Sequence, residues 1–215
     1  MNFMQEGDFI EIEYIGKIKE SGEIFDLTSE EIAKEKGIYN EKAKYGPVKI
    51  ILGENFVIKG LEEKLKDMKV GEEKIFVIPP EKAFGSRDPK LIKIVPESEF
   101  RKQKITPIPG LVIDFGNVKA RIQAVSSGRV RVDFNHPLAG RELEYKVKIL
   151  GKIEDKEEKV RTILEFFGAE NNFKILENKV EVEEKRNIGD KIKEKIAELI
   201  KKYLNVEKVD FIKSF

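Results

Sequence analysis

Leu143-Glu144-Tyr145-Lys146-Val147-Lys148-Ile149 alternates apolar and charged residues without a break, and its partner decides how the chain is organised. Alternation with a period of two marks a strand with one face on a core and the other in water. Leu143, Tyr145, Val147 and Ile149 then share the buried face. An equally regular run stands near the start, Phe9-Ile10-Glu11-Ile12-Glu13-Tyr14-Ile15-Gly16-Lys17-Ile18. We read the later run as a strand returning to the sheet that the earlier one begins. On that reading, everything between the two that does not fit the first sheet is an insertion and not a tandem domain.

Working outward, Glu20-Ser21-Gly22-Glu23 reads as a turn and Ile24-Phe25-Asp26 as renewed extended chain. Ser29 to Lys36 has the pattern of a short helix capped by Ser29 within a long connection. Pro47 to Leu52 reads as a strand ended by Gly53. From Asn55 to Met68 the apolar residues Val57, Ile58, Leu61, Leu65 and Met68 recur at helical spacing. Val70-Gly71-Glu72 turns into the strand Lys74 to Ile78, which Pro79-Pro80 terminates. Between Gly85 and Val132 the texture changes to short strand-like runs at Leu91–Val95, Leu111–Phe115, Val118–Val125 and Arg129–Phe134. Turn signals at Gly116-Asn117 and Ser126-Ser127-Gly128 separate them. The charged run Glu154 to Lys159 marks a further boundary. Past it come an amphipathic helix (Val160, Ile163, Leu164, Phe167), a hairpin turning at Glu177-Asn178, a helix over Asp190–Leu204, and a last strand over Val206–Ile212. The expected class is α+β: an antiparallel sheet wrapped on a short helix, an inserted all-β domain, and a small C-terminal α+β domain. The expected boundaries are 1–86 plus 132–153, 87–131, and 154–215.

Composition removes several chemistries. The 215 residues contain no cysteine, so disulfides, thiolate nucleophiles and Cys-ligated metals are excluded, in keeping with a reducing compartment. Histidine occurs once, at His136, which leaves no histidine cluster for a metal. Lys+Arg 41 against Asp+Glu 40 gives a net charge of +1 and no global field for nucleic acid or membrane. No stretch approaches the ~18 uninterrupted apolar residues of a spanning helix. Met1-Asn2-Phe3-Met4-Gln5-Glu6 lacks a basic segment leading into an apolar one, so no signal peptide and a cytoplasmic location are expected.

The order of short motifs is informative in itself. Ile12-Glu13-Tyr14, Gly22-Glu23-Ile24-Phe25-Asp26, Leu52-Gly53, Val57-Ile58-Lys59-Gly60-Leu61-Glu62, Val70-Gly71-Glu72 and Ala83-Phe84-Gly85 resemble, in sequence order, the FKBP family of peptidyl-prolyl isomerases. Asn135-His136-Pro137-Leu138-Ala139-Gly140 followed by Leu143 to Val147 is similar to the SlyD-like branch, which carries a chaperone domain in its flap loop. With the extra C-terminal module the chain resembles the long archaeal type of that branch. The resemblance covers roughly residues 7 to 152 and implies an FKBP-like sheet and prolyl isomerase activity without cofactor or metal. It also implies catalytic positions at Asp26, Tyr14, Phe25 and Tyr145, and a substrate pocket lined by Val48, Val57, Ile58, Leu61, Phe84 and Leu138, with His136 at its rim. Two departures soften the pocket: Leu61 stands where tryptophan is common, and Val48 where phenylalanine is common. Taken singly, Phe25, Val57, Ile58, Leu61 and Phe84 read as core; their occurrence together with Asp26 favours a site.

Residues 87–132 hold ten Lys/Arg and four acids, a net of +6, so the rest of the chain is near −5. Ile105, Ile108, Leu111, Val112 and Ile113 lie in or beside a proline-bearing stretch of this basic region. The combination suits transient capture of unfolded chains carrying Xaa-Pro bonds. It also suits RNA, but only Phe100 and Phe115 are available for base stacking, which disfavours nucleic acid as the partner. The alternatives are a peptide-binding chaperone with a vestigial pocket and a ribosome- or RNA-associated factor. From residue 155 onward fourteen basic and fourteen acidic residues balance, and for this module we expect homodimerisation or added chaperone surface through Ile192, Ile196, Leu199 and Phe211.

Overall fold

The computed structural model describes residues 3–115, 118–169, 172–184 and 188–213; the turn expected at Gly116-Asn117 lies outside the described residues. The chain begins with β1 (Phe9–Ile18), β2 (Ile24–Leu27), α1 (Glu30–Glu35), β3 (Val48–Ile51), α2 (Lys59–Lys66) and β4 (Glu73–Ile78). It continues with β5 (Ile92–Pro96), α3 (Glu97–Lys102), β6 (Val112–Phe115), β7 (Val118–Ser126) and β8 (Arg129–Asp133). Then follow β9 (Leu143–Lys152), α4 (Lys156–Phe166), β10 (Phe173–Ile175), β11 (Lys179–Glu184), α5 (Asp190–Leu204) and β12 (Lys208–Lys213). The whole is a mixed α+β molecule with mainly antiparallel sheets.

β9 lies between β1 and β4 and runs antiparallel to both, so the first sheet has the order β2-β1-β9-β4, with β3 added to β1. Its apolar face meets α2. Leu61, Leu65 and Met68 are buried there among Ile10, Ile12, Ile50, Ile78, Leu143, Val147 and Ile149. Each such side chain contributes roughly 1.5–3 kcal/mol of transfer free energy when fully buried. Gly60 lets the helix close on the sheet, since a Cβ there would lie 2.4 Å from Ile78 Cγ2. α2 begins at Lys59, later than its apolar spacing indicates. Asn55 is left-handed (φ 58) and Ile58, the N-cap, is extended (ψ 144), which places Val57 and Ile58 in a loop instead of on the helix. α1 is capped as expected, with Ile32 N–H donated to Ser29 Oγ at 3.2 Å.

Between β4 and β9 the chain builds a separate four-stranded sheet, β5-β8-β7-β6, around Phe100, Ala120, Ile122, Val130 and Val132. The expectation of strands alone fails at Glu97–Lys102, which is helical. Pro96 precedes the helix, Glu97 and Glu99 occupy its first turn, and Arg101 Nη2 reaches back to Glu97 Oε1 at 2.9 Å. The stem leading into and out of this sheet is polar. The carboxylate of Asp133, 6% exposed, pairs with Arg87 and accepts from Gln123 Nε2 at 3.0 Å and from Asn135 N and Nδ2 at 3.0 and 2.8 Å.

In the C-terminal part, β10 and β11 form the hairpin, and α5 carries the chain across so that β12 lies parallel to β11. α4 and α5 cover this sheet. Ile196 and Leu199, named above as interface residues, are 0% and 1% exposed in its core and so are unavailable to a partner; Ile192 is 39% exposed and Phe211 half-buried. This core is shared with the first sheet: Phe9 and Ile51, opposite each other on β1 and β3, are buried among Val160, Ile163, Leu164 and Ile200.

Candidate active site

The site forms at one end of the first sheet, where Asp26, Gly16, Tyr145 and Phe76 stand opposite one another across β2, β1, β9 and β4. Simple alternation would send Phe25 and Asp26 to opposite faces. A register shift prevents this: Ile24 faces Lys17 and Asp26 faces Gly16, so Phe25 is the extra residue of a bulge. Its ring crosses the side-chain-free Gly16 and meets Tyr145 edge-on, with centroids 5.7 Å apart at 80°. A Cβ on Gly16 would lie 2.7 Å from Phe25 Cζ and 3.2 Å from Tyr145 Cε1.

Tyr14 completes the aromatic wall, its ring 5.8 Å from that of Tyr145. Its hydroxyl donates to Asp26 Oδ2 at 2.7 Å. Burial, and then the Asp26 carboxylate that it serves, hold the Tyr14 phenol far above the ordinary tyrosine range. Burial and the charge of Asp26 do the same to Tyr145. Both phenols therefore remain neutral donors across the physiological range. Asp26 itself is exposed, so the carboxylate stands at the mouth and the rings stand within.

Val48, Val57, Ile58, Phe84 and Leu138 pack partly buried against the same core as Tyr14 and Phe25, and Leu61 is 1% exposed beneath them. Leu61 is thus floor and not wall. Phe84 is placed by a short helical turn, Pro80–Lys82, and by Gly85, whose φ of +78 suits the turn closed by Gly85 N–H to Pro80 O at 2.8 Å. His136 lies flat on Phe84, centroids 4.3 Å apart at 3°, and its Nδ1 accepts Leu138 N–H at 3.2 Å. Gly140 N–H to Gly85 O, 2.8 Å, ties the two rim loops together. Nine of the eleven residues expected at the site thus belong to or pack against one apolar cluster, with Asp26 joined to it through Tyr14 and His136 through Phe84.

Sequence reasoning passed over two contributors. Thr28, 4% exposed, accepts Tyr14 N–H at 3.0 Å and donates its hydroxyl to Tyr14 O at 3.3 Å, fastening the strand pair behind the Tyr14–Asp26 bond. Gly16 was visible only as a glycine inside a strand, which is itself a signal of close approach. On the opposite face of the same sheet, Glu13, Lys146 and Lys148 line a polar hollow of about 500 Å³ beneath the 28–46 connection. Tyr14, Ile15, Ile32 and Tyr45 also line it, but charged and polar groups make up the larger part of its walls. Among the described residues no group of three or more His, Asp or Glu side chains could hold a metal ion, and no helix is long and apolar enough to cross a membrane.

The model of the FKBP-type peptidyl-prolyl cis-trans isomerases matches residues 2–101, and that of the FKBP26 IF domain matches residues 93–138. A short-type peptidyl-prolyl cis-trans isomerase of Methanocaldococcus jannaschii is 38% identical over 149 residues, covering 69% of this chain and 94% of the relative. The SlyD isomerase of Helicobacter pylori is 35% identical over 117 residues, 53% of this chain and 63% of the relative. A 16 kDa FKBP-type isomerase of Escherichia coli is 31% identical over 108 residues, 48% of this chain and 72% of the relative. The chain belongs to the FKBP-type peptidyl-prolyl cis-trans isomerase family, with SlyD-like relatives, and is an enzyme of that class.

Proposed function

We propose that the chain accelerates proline-limited folding of other polypeptides by gripping a proline ring against Phe25, Val57, Ile58, Phe84 and Tyr145 while its bond twists. The observation that carries this reading is the bulge-driven meeting of Phe25, Tyr14 and Tyr145 beside a carboxylate. An Xaa-Pro bond favours trans by only ~0.5–1 kcal/mol, yet it interconverts in tens to hundreds of seconds because amide resonance must be broken. The twisted amide has lost that resonance and carries less charge on its carbonyl oxygen. An apolar cavity therefore disfavours the twisted form less than the planar one, and no covalent step is needed. Tyr145, whose hydroxyl has no hydrogen-bond partner among the described residues, is the donor available to a bound carbonyl. Asp26 orients Tyr14 and the peptide at the mouth.

In the same reading, residues 1–86 with 132–153 are the isomerase domain, 87–131 an inserted capture domain, and 154–215 a C-terminal domain. Ile94, Ile108, Val112 and Val118 of the insert are 67%, 56%, 56% and 50% exposed on a basic region, which supports holding of unfolded segments. Holding raises the local concentration of prolines at the pocket. The working place is the cytoplasm, and any homodimer uses surface other than the buried Ile196 and Leu199. The test is refolding of a proline-limited substrate with substoichiometric enzyme. A faster slow phase is expected, with Asp26→Ala reducing it several-fold but not abolishing it. No acceleration by the intact chain would leave a binding protein with a vestigial pocket.

A further inference from the structure

Residues 52–58 join β3 to α2 and deliver Val57 and Ile58 to the pocket. This connection is held from outside the isomerase sheet. Glu54, whose side chain is 10% exposed, accepts from Lys202 Nζ at 2.6 Å and Tyr203 OH at 2.7 Å, both on α5. Burial opposes ionisation of Glu54, but these two donors hold its carboxyl below the usual range; burial and Glu54 push Tyr203 up to about 12. Tyr203 is in turn braced edge-on against Phe9, with centroids 5.1 Å apart at 87°. Next along the chain, Asn55 takes a left-handed conformation (φ 58). Phe56 then stacks on Phe166 of α4, with centroids 3.7 Å apart at 20°, and packs against both the isomerase core and the C-terminal core. On its far side the loop is pinned by Gly53 N–H to Glu62 Oε1, 2.8 Å. Anchors therefore stand on both sides of Asn55, and Val57 follows the second directly.

We infer that Glu54 and Phe56 are positioning residues through which α4 and α5 of the C-terminal module set the placement of Val57 and Ile58, and with it the grip on proline. The inference rests on the pocket reading above. Phe166 is the place to test it, because it is 45% exposed and its removal leaves little unfilled core. In the full-length chain, Phe166→Ala should raise KM for a short Xaa-Pro peptide by about 3- to 10-fold with kcat within about twofold, since the grip serves ground and transition states alike. The methyl NMR resonances of Val57 and Ile58 should move with it. Phe166→Tyr, which keeps the stacked ring, should restore both. A contact serving only adhesion would lower Tm and leave KM and the methyl resonances unchanged, and that result overturns the inference. Ile58→Ala separates the two readings. If it leaves KM unchanged, the pocket reading fails and the positioning inference falls with it. If it raises KM while Phe166→Ala does not, the pocket stands and the positioning inference alone is refuted.

Discussion

Gly16→Ala puts the whole site to the test with one methyl group. The added Cβ would sit 2.7 and 3.0 Å from Phe25 Cζ and Cε2 and 3.2 Å from Tyr145 Cε1. Carbon atoms rest at ~3.5–4.0 Å, so the Phe25 ring must withdraw by roughly 1 Å. Tyr145 is 5% exposed on a central strand and cannot yield instead. Overpacking of this kind costs about 1–3 kcal/mol, and Phe25, only half-buried, can swing towards solvent, which favours the lower end. A 1 Å misplacement at a reacting centre is worth up to about 100-fold, so kcat/KM should fall about 10- to 100-fold while the protein stays folded. Peptide isomerisation measured beside thermal melting reads both quantities. Gly151→Ala is the matched control: a Cβ there meets nothing within 4 Å, and stability should change by less than about 0.5 kcal/mol. Full kcat/KM in Gly16→Ala, with the Phe25 ring shifted in its NMR spectrum, would refute the assignment of Phe25 to the catalytic wall.

Tyr14→Phe removes the hydrogen bond to Asp26 and should lower kcat/KM by about 2- to 10-fold, in line with one exposed charge-assisted bond; combined with Asp26→Ala the loss should be no greater than for either alone, as steady-state kinetics of the double variant would show. Asp133→Ala strands donors on Arg87, Gln123 and Asn135 at the stem of the second sheet and should destabilise that sheet by about 2–3 kcal/mol, seen as faster amide exchange in β7 and β8 with β1 and β9 unchanged. Tyr14, Tyr145 and Tyr203 all ionise later in the folded chain than the ordinary 10.0, so their contribution to stability is complete below about pH 10 and drains away as pH rises beyond it. Denaturant midpoints at pH 9 and pH 11 should therefore differ, the higher pH being the weaker; equal midpoints would contradict the burial of these phenols.

The strands of the first sheet were legible because one face is wet. β9 pairs with β1 and β4 along the alternation that runs from Leu143 to Ile149. The bulge at Phe25 was not legible, since alternation alone sends Phe25 and Asp26 apart and only the pairing with β1 reunites them. Helix α3 was missed although Pro96, the acids of its first turn and Arg101 at four residues from Glu97 all mark it; the strand-rich surroundings outweighed local signals. The face offered to the C-terminal module was half-written. Phe9-Ile10 and Ile50-Ile51 are apolar pairs, which in a strand means cover on both sides. Only the structure shows that α4 and α5 supply that second cover, and so remove Ile196 and Leu199 from any interface.

The two appendages of the first sheet are joined to it in opposite ways. The C-terminal module shares Phe9 and Ile51 with it and meets it again at Phe56, whereas the second sheet keeps its own core and follows a stem whose bonds, at Arg87, Asp133 and Asn135, are polar. Apolar sharing welds cooperative units together; a polar stem leaves them separate. The C-terminal module and the first sheet should therefore melt as a single transition, while the second sheet opens and closes on its own, like a hand moving at a fixed wrist.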